Sequence, residues 1–175
     1  MAEILGRLDD AGIWYCVEGG WGVDALLGEQ TRDHRDLDVG VRLEEVDRLC
    51  AVLAEFERDD REWPSSVVLV DAPGRRFDAH PLTFDENGDG WQAKSGGGAY
   101  RWPGDELDAH GRIGGREVRC VTPELQVRWH GHEDFDDVDW ADMHALAERF
   151  GLPSPPERPG FVSGRRKLHS RHESV

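Results

Sequence analysis

Lysine is almost missing from this chain, with only Lys94 and Lys167 among 175 residues, so nearly all of the positive charge is arginine. Acidic residues outnumber basic ones by 36 to 21, which gives a formal net charge of -15 at pH 7. A field of this sign repels nucleic acid and favours cationic partners. The composition therefore predicts no nucleic-acid partner, although the same charge can also serve solubility alone.

Cysteine and long apolar runs are also scarce. The three cysteines are Cys16, Cys50 and Cys120, and an odd count without a CxxC pair argues against a disulfide framework or a zinc knuckle. No apolar run approaches the length of a membrane span, and the N-terminus lacks the basic start and apolar middle of a signal peptide. We therefore expect a cytoplasmic protein without a membrane partner.

The length suits one domain with a real core, which we place at residues 1–152. The remaining residues, 153–175, form a predicted tail that is first proline-rich and then basic. Its opening PSPPERPG is unsuited to a helix or a central strand. The tail carries five arginines or lysines against two acids, and we expect it to be flexible.

Hydrophobic periodicity predicts an α/β or α+β fold, with a small mixed sheet flanked by helices and further helices at the C-terminal end. Residues 85–98 are rich in Gly, Asp and Asn and are predicted as loop. Strands are predicted at residues 13–17 and 36–41, as a pair within 66–82, and as a hairpin within 111–121. Helices are predicted at residues 2–11, 21–27, 43–56 and 136–151, with another beginning at the Thr122-Pro123 cap.

Two aspartates one residue apart begin the strand at residues 36–41. Residues i and i+2 of a strand face the same side, so Asp36 and Asp38 project together while Leu37 and Val39 point to the core. Adjacent carboxylates repel unless a cation lies between them, and Mg²⁺ prefers oxygen ligands of this kind. Taken alone, such a pair is more often a solvated strand end.

Gly19-Gly20 and Asp78 give these aspartates a context. Glycines between a strand and a helix let backbone N–H groups approach an anion such as a phosphate chain, although a tight turn would also explain them. Asp78 is an acid within a half-buried strand pattern and needs a partner. If its strand lies beside the first, three carboxylates converge and can hold two metal ions roughly 3.5–4 Å apart, as phosphoryl transfer requires.

The pattern of Gly-Gly, a short helix, an hDhD strand and a later strand aspartate resembles the nucleotidyltransferase superfamily that includes DNA polymerase beta. Within it, GGWGVDALLGEQTRDHRDLDV resembles the lincosamide nucleotidyltransferases and, more distantly, the aminoglycoside 2''-adenylyltransferases. The likeness continues in the same order through FDAHPLTFDENGDGWQA, GGAY, REVRCVTPELQVRWHGH and DWADM. It covers about residues 12–150 and implies the nucleotidyltransferase fold.

The resemblance implies a set of roles. Asp36 and Asp38 would bind two Mg²⁺ ions, and Asp78 would bind the catalytic one and is the candidate general base. Gly19 and Gly20 would contact the triphosphate. A hydroxyl group of a small-molecule acceptor would attack the α-phosphate of ATP, or of another nucleoside triphosphate, and release pyrophosphate. Some relatives form dimers, so a homodimer stays open.

Four neighbouring side chains are candidates for structural or binding roles. Arg32 and His34, just before the aspartates, are candidate donor-binding residues that either reach a phosphate or hold the loop, with the latter favoured for His34. Asp24 on the short helix is interpreted as a buttress of the loop. His80 shares a face with Asp78 and is more often a structural histidine than a ligand.

Several functions compete. The favoured one is an enzyme that transfers AMP to a hydroxyl of a lincosamide-like antibiotic. An aminoglycoside adenylyltransferase could use the same site, and so could a transferase that modifies a protein hydroxyl to neutralise a toxin. A catalytically silent nucleotide-binding module is the alternative from another class, against which the intact Asp36, Asp38 and Asp78 argue.

Overall fold

The computed structural model describes residues 1–131 and 136–154, and within these it contains nine strands and five α-helices. The strands are β1 Tyr15–Val17, β2 Asp36–Arg42, β3 Glu57–Asp59, β4 Val67–Val70, β5 Arg76–Phe84, β6 Gly90–Ala93, β7 Ala99–Trp102, β8 Ala109–Ile113 and β9 Arg116–Cys120. The helices are α1 Ala2–Asp10, α2 Gly19–Leu27, α3 Val46–Val52, α4 Pro123–His130 and α5 Asp137–Phe150.

The strands form one mixed sheet, which confirms the predicted fold class. Its order is β3-β4-β5-β2-β1-β9-β8, with β6 and β7 extending from β5. The pairs β2–β5 and β1–β9 are parallel, whereas β1–β2, β4–β5 and β8–β9 are antiparallel. The parallel pair β2–β5 lies near the middle of the sheet and carries the predicted catalytic aspartates.

Apolar side chains cover both faces of this sheet. On β1, Tyr15 and Val17 join the main core, which also holds Leu37, while Cys16 joins a smaller cluster that contains Trp102. Burial of alternate strand residues on opposite faces is what the two-residue period of a strand requires. The sheet is therefore packed on both sides, and the aspartates lie at the end of β2 rather than in its buried middle.

The predicted helix boundaries hold in part. Helix α2 begins at Gly19, two residues before the predicted start, and ends at Gly28 in the left-handed conformation. The helix predicted at 43–56 is shorter, because Leu43–Glu45 form a 3-10 turn and the chain leaves helical geometry at Leu53. On the predicted helix at 136–151, Met143 is buried, but Val138 and Phe150 are exposed, because they lie in its first and last turns.

The prediction of a loop at 85–98 is wrong for residues 90–93, which form β6 and pair with β5 and β7. Gly90 begins this strand beneath Trp102, and a side-chain carbon there would lie 3.3 Å from Cβ of Trp102. The glycine thus serves close packing inside a strand, whereas the sequence pattern alone suggested a loop. The hairpin at Gly114-Gly115 and the Thr122 cap are confirmed.

The predicted domain boundary and tail stay predictions, since residues 155–175 lie outside the described part of the chain. None of the described helices is long and apolar enough to cross a bilayer.

Candidate active site

The pairing of β2 with β5 brings the three predicted aspartates to one edge of the sheet. In the register of this parallel pair, Asp38 lies opposite Asp78, and Asp36 lies opposite Arg76. The two strands are neighbours, as the convergence of the three carboxylates requires. The half-buried side chains of Asp36, Asp38 and Asp78 are spaced two residues apart or directly opposed, so they share a face.

Arg76 lies between Asp36 and Asp78, and Ser66 contacts Asp78. The Arg76 guanidinium lies 3.0 Å from Oδ2 of Asp78 and 3.6 Å from Oδ2 of Asp36, and the Ser66 hydroxyl donates to the other oxygen of Asp78. Partial burial raises the pKa of Asp36, and Asp38 raises it further, whereas Arg76 opposes both. The acidic face is therefore partly neutralised by a cation from the same strand as Asp78.

The donor atoms at this edge suit a hard cation. Three carboxylates from two paired strands supply only oxygen ligands, which Mg²⁺ prefers. Within residues 1–131 and 136–154, however, no three His, Cys, Asp or Glu side chains converge closely enough to form a ready ion site. Since Asp78 is turned towards Ser66 and Arg76, binding an ion would require these carboxylates to reorient.

The Gly19-Gly20 turn packs directly against this edge. Gly19 has φ of +60°, and a side-chain carbon on it would lie 2.7 Å from Oδ2 of Asp38. The backbone N–H of Glu18 donates to the carbonyl of Asp38 at 3.0 Å. A carbon on Gly20 would collide with His34 and Arg32. Both glycines are thus required by close approach, and they place the first turn of α2 beside Asp38.

Asp24 holds the loop that precedes β2, which agrees with its interpretation as a buttress. It is 2% exposed and accepts hydrogen bonds from the Thr31 backbone N–H at 3.0 Å and from the Thr31 hydroxyl at 2.6 Å. Its other oxygen contacts Nε2 of His34. The His34 ring also packs on Trp21, with a centroid distance of 4.8 Å, so His34 ties the loop to α2.

Arg32 connects the same loop to the C-terminal helices. Its guanidinium donates to Oδ2 of Asp142 on α5 at 2.9 Å, where the Asp142 side chain is 7% exposed. The same group lies against Gly20, and its buried Nε has no hydrogen-bond partner among the described residues. Arg32 therefore lies next to the first turn of α2, and its Nε–H has no hydrogen-bond acceptor among the described residues.

His80 lies between the aspartates and a chain of polar groups. Its Nε2 is 3.2 Å from Oε1 of Glu18 and 3.8 Å from Oδ1 of Asp38. Its Nδ1 is 3.0 Å from the amide nitrogen of Gln92, whose oxygen accepts from the Trp102 indole at 3.1 Å. Because the indole can only donate, it fixes the Gln92 amide with its N–H towards His80.

Two influences on the charge of His80 oppose each other. Burial lowers its pKa, but Asp38, Glu18 and Asp78 raise it to about 9 overall. Burial likewise raises the pKa of Glu18 to about 7, and His80 opposes that shift. An imidazolium would set its Nδ1–H against the amide N–H of Gln92, so this one contact opposes the charged ring that the surrounding acids favour.

A cleft of about 220 Å³ adjoins Glu18. Its other lining residues are Gln92, Tyr100, Trp102 and Trp129. Trp102 is buried and packs edge-on against Trp129 at 4.7 Å, while Tyr100 is 54% exposed. The cleft thus combines an aromatic wall with one carboxylate, which suits a small molecule with an apolar body and a polar or cationic group.

Sequence reasoning did not single out several residues of this site. Arg76 could have been found, since it lies two residues before Asp78 and shares its face. Glu18 directly precedes the glycines, but it does not stand out among the 36 acidic residues of the chain. No local signal marks the others, because their contacts come from distant segments. They are Ser66, Gln92, Gln126 and Asp142.

Acids on a parallel strand pair lie beside a glycine turn and a helix N-terminus, as the nucleotidyltransferase resemblance predicts, and the fold is that of this class. A solved structure described as a lincosamide antibiotic adenylyltransferase with lincomycin bound superposes on this chain with a TM-score of 0.72. The two are 27% identical, and the match covers 82% of this chain and 92% of the other.

Sequence relatives agree. The chain is 28% identical to a lincosamide resistance protein of Staphylococcus haemolyticus over 145 residues, which cover 82% of this chain and 89% of that protein. It is 26% identical to a 2''-aminoglycoside nucleotidyltransferase of Klebsiella pneumoniae over 158 residues, covering 87% and 84%. The aminoglycoside-2''-adenylyltransferase family model matches residues 1–146. The chain belongs to this family of enzymes, which confirms the resemblance found in the sequence.

Proposed function

We propose that the chain transfers AMP from ATP to a hydroxyl group of a lincosamide-like antibiotic, in a magnesium-dependent reaction that releases pyrophosphate. The observation that carries the proposal is the pairing of Asp38 with Asp78 across β2 and β5, with Gly19 packed against Asp38. Acids, glycine turn and helix N-terminus thereby lie within one site. The names of the relatives support the acceptor class.

In this proposal Asp36, Asp38 and Asp78 hold the two Mg²⁺ ions. When bound, such ions neutralise phosphate charge and lower the pKa of an attacking hydroxyl. The triphosphate lies at the first turn of α2, where the backbone N–H groups of Gly19 and Gly20 and the helix dipole favour an anion. The guanidinium of Arg32, which packs on Gly20, supplies a positive charge there. His34 contributes by holding the loop beside it.

Asp78 is the proposed general base. A carboxylate serves this role when it lies within hydrogen-bond reach of the proton that it takes. Ser66 and Arg76 both contact its oxygens in this structure. The acceptor hydroxyl would approach from the cleft beside Glu18, whose wall is formed by Tyr100, Trp102 and Trp129.

An aminoglycoside acceptor is the second candidate, favoured by the matched family model and by the acidic character of the chain. Amino sugars carry several positive charges, and the cleft offers the Glu18 carboxylate. Transfer to a protein hydroxyl and a silent nucleotide-binding role are distinguished from both by the experiment below. A homodimer and a cytoplasmic location stay predictions.

Pyrophosphate release tests the proposal. The enzyme is incubated with ATP, Mg²⁺ and a panel of lincosamides and aminoglycosides, with and without EDTA. Release that depends on both a lincosamide and the metal supports the favoured function, while release with aminoglycosides alone selects the second candidate. No release with any acceptor from folded protein would contradict both antibiotic functions.

A further inference from the structure

The Gly19-Gly20 turn and Arg32, the proposed site of the nucleotide donor, form what we call the donor end. Two buried polar residues of the C-terminal helices contact it, although neither belongs to the motifs found in the sequence. Gln126 of α4 is fully buried, and its side-chain amide donates to the carbonyl of Gly19 at 3.3 Å. Asp142 of α5 is 5% exposed and binds the Arg32 guanidinium at 2.9 Å. A polar group is expensive to bury, so such residues need a structural or functional reason.

We propose that Gln126 and Asp142 are positioning residues for the nucleotide donor, so that α4 and α5 hold the Gly19-Gly20 turn and Arg32 in their binding geometry. The inference rests on the proposed function, because it concerns the donor site assigned there. Gln126 acts through the first peptide of α2, and Asp142 acts through Arg32. Neither residue is placed in contact with the substrate.

The packing around Gln126 shows how tightly this contact is specified. A side-chain carbon on Gly22 would collide with the Gln126 amide nitrogen and would lie 3.3 Å from the carbonyl of Val17. Gly22 therefore leaves the space through which Gln126 reaches back to Gly19. The Gln126 oxygen is buried and unpartnered among the described residues, so the single hydrogen bond to Gly19 is what the side chain contributes there.

The Asp142 contact acts on the other side of the same turn. Arg32 lies against Gly20, and its long side chain would be free to adopt many rotamers without an anchor. Asp142 holds one guanidinium nitrogen and leaves Nε without a partner. His130 of α4 approaches Asp142 to 4.0 Å, so the two C-terminal helices meet at this anchor. Helices α4 and α5 therefore both hold the donor end in place, through Gln126 and Asp142.

Binding of α,β-methylene-ATP with Mg²⁺, measured by titration calorimetry, tests this inference without relying on turnover. The analogue cannot transfer AMP, so its Kd reports the donor site alone. Gln126→Met and Asp142→Asn should each raise the Kd about five- to tenfold, the loss expected for one hydrogen bond to a charged or pre-organised partner. With ATP, they should raise KM while changing kcat little.

The matched control is Asp89→Asn, which removes a buried aspartate that binds Arg101 and has no contact with the Gly19-Gly20 turn, and which should leave the analogue Kd unchanged. Gly22→Ala should raise the donor Kd by displacing Gln126, and adding Gln126→Ala should restore thermal stability without restoring the Kd. Wild-type affinity in folded Gln126→Met and Asp142→Asn would overturn the inference. If the wild-type enzyme itself fails to bind the analogue, the proposed function fails instead.

Discussion

The two ends of the site differ in how they are built. At the proposed donor end, buried acids bind the neighbouring loop: Asp24 is 2% exposed and bonded to Thr31 and His34, and Asp142 holds Arg32. At the acceptor cleft, Tyr100 is 54% exposed on a strand that pairs only with β6 among the described residues. Buried contacts therefore fix the first region, whereas the aromatic cleft is open to solvent.

Removing the charge of Asp38 should cause the largest loss of activity. Asp38→Asn keeps the shape of the side chain but loses a carboxylate on which the proposed metal sites depend, so kcat should fall by about a thousandfold or more. Steady-state turnover with ATP and Mg²⁺ measures the loss, while thermal unfolding checks that the fold survives.

Asp33→Asn provides the matched control, since it removes the same charge from an exposed position five residues earlier. It should retain nearly full activity. If Asp38→Asn turned over as fast as Asp33→Asn, the assignment of Asp38 to the metal would be wrong.

Truncating Asp24 should destabilise the loop between α2 and β2. Asp24→Ala leaves the Thr31 hydroxyl, the Thr31 N–H and His34 without their acceptor, so the free energy of unfolding should fall by about 3 kcal/mol. Denaturant unfolding measures the change, with Asp10→Ala on the exposed side of α1 as the control that should change little. A loss no larger than that of the control would show that the loop does not depend on Asp24.

Tyr100→Ala should affect the acceptor end alone. The ring is half exposed and stacks with the Lys94 ammonium at 4.0 Å from its centroid, so its removal should cost little stability. The acceptor KM should rise about tenfold, from loss of one aromatic contact, while the KM for ATP stays the same. Tyr100→Phe keeps the ring and should behave like the wild type, and an equal effect on both substrates would remove the distinction between the two ends.

Glu18→Gln should cause the smallest of these changes in KM, and the change should differ between charged and neutral acceptors. The carboxylate lines the cleft, so its neutralisation should raise the KM of amine-bearing acceptors about fivefold. Acceptors without a positive charge should be unaffected. Steady-state kinetics with a charged and a neutral member of one antibiotic class makes the measurement, and identical shifts for both would argue that Glu18 does not recognise charge.

The sequence predicted the elements whose signals are local, and it missed the contacts that fold distant segments together. The two-residue spacing of Asp36 and Asp38 and the cap at Thr122 are local signals, and the structure has both as expected. Gln126 reaches Gly19 across 107 residues and Asp142 reaches Arg32 across 110. No periodicity encodes such contacts, and the strand β6 was likewise hidden because its glycine serves packing.

In the proposed function, Asp36, Asp38 and Asp78 form one reaction centre for adenylyl transfer. Mass spectrometry of a lincosamide incubated with the enzyme, ATP and Mg²⁺ tests it most directly. We expect an acceptor heavier by one AMP group with the wild-type enzyme and no adduct with Asp38→Asn or Asp78→Asn. An AMP adduct formed equally well by either variant would contradict it.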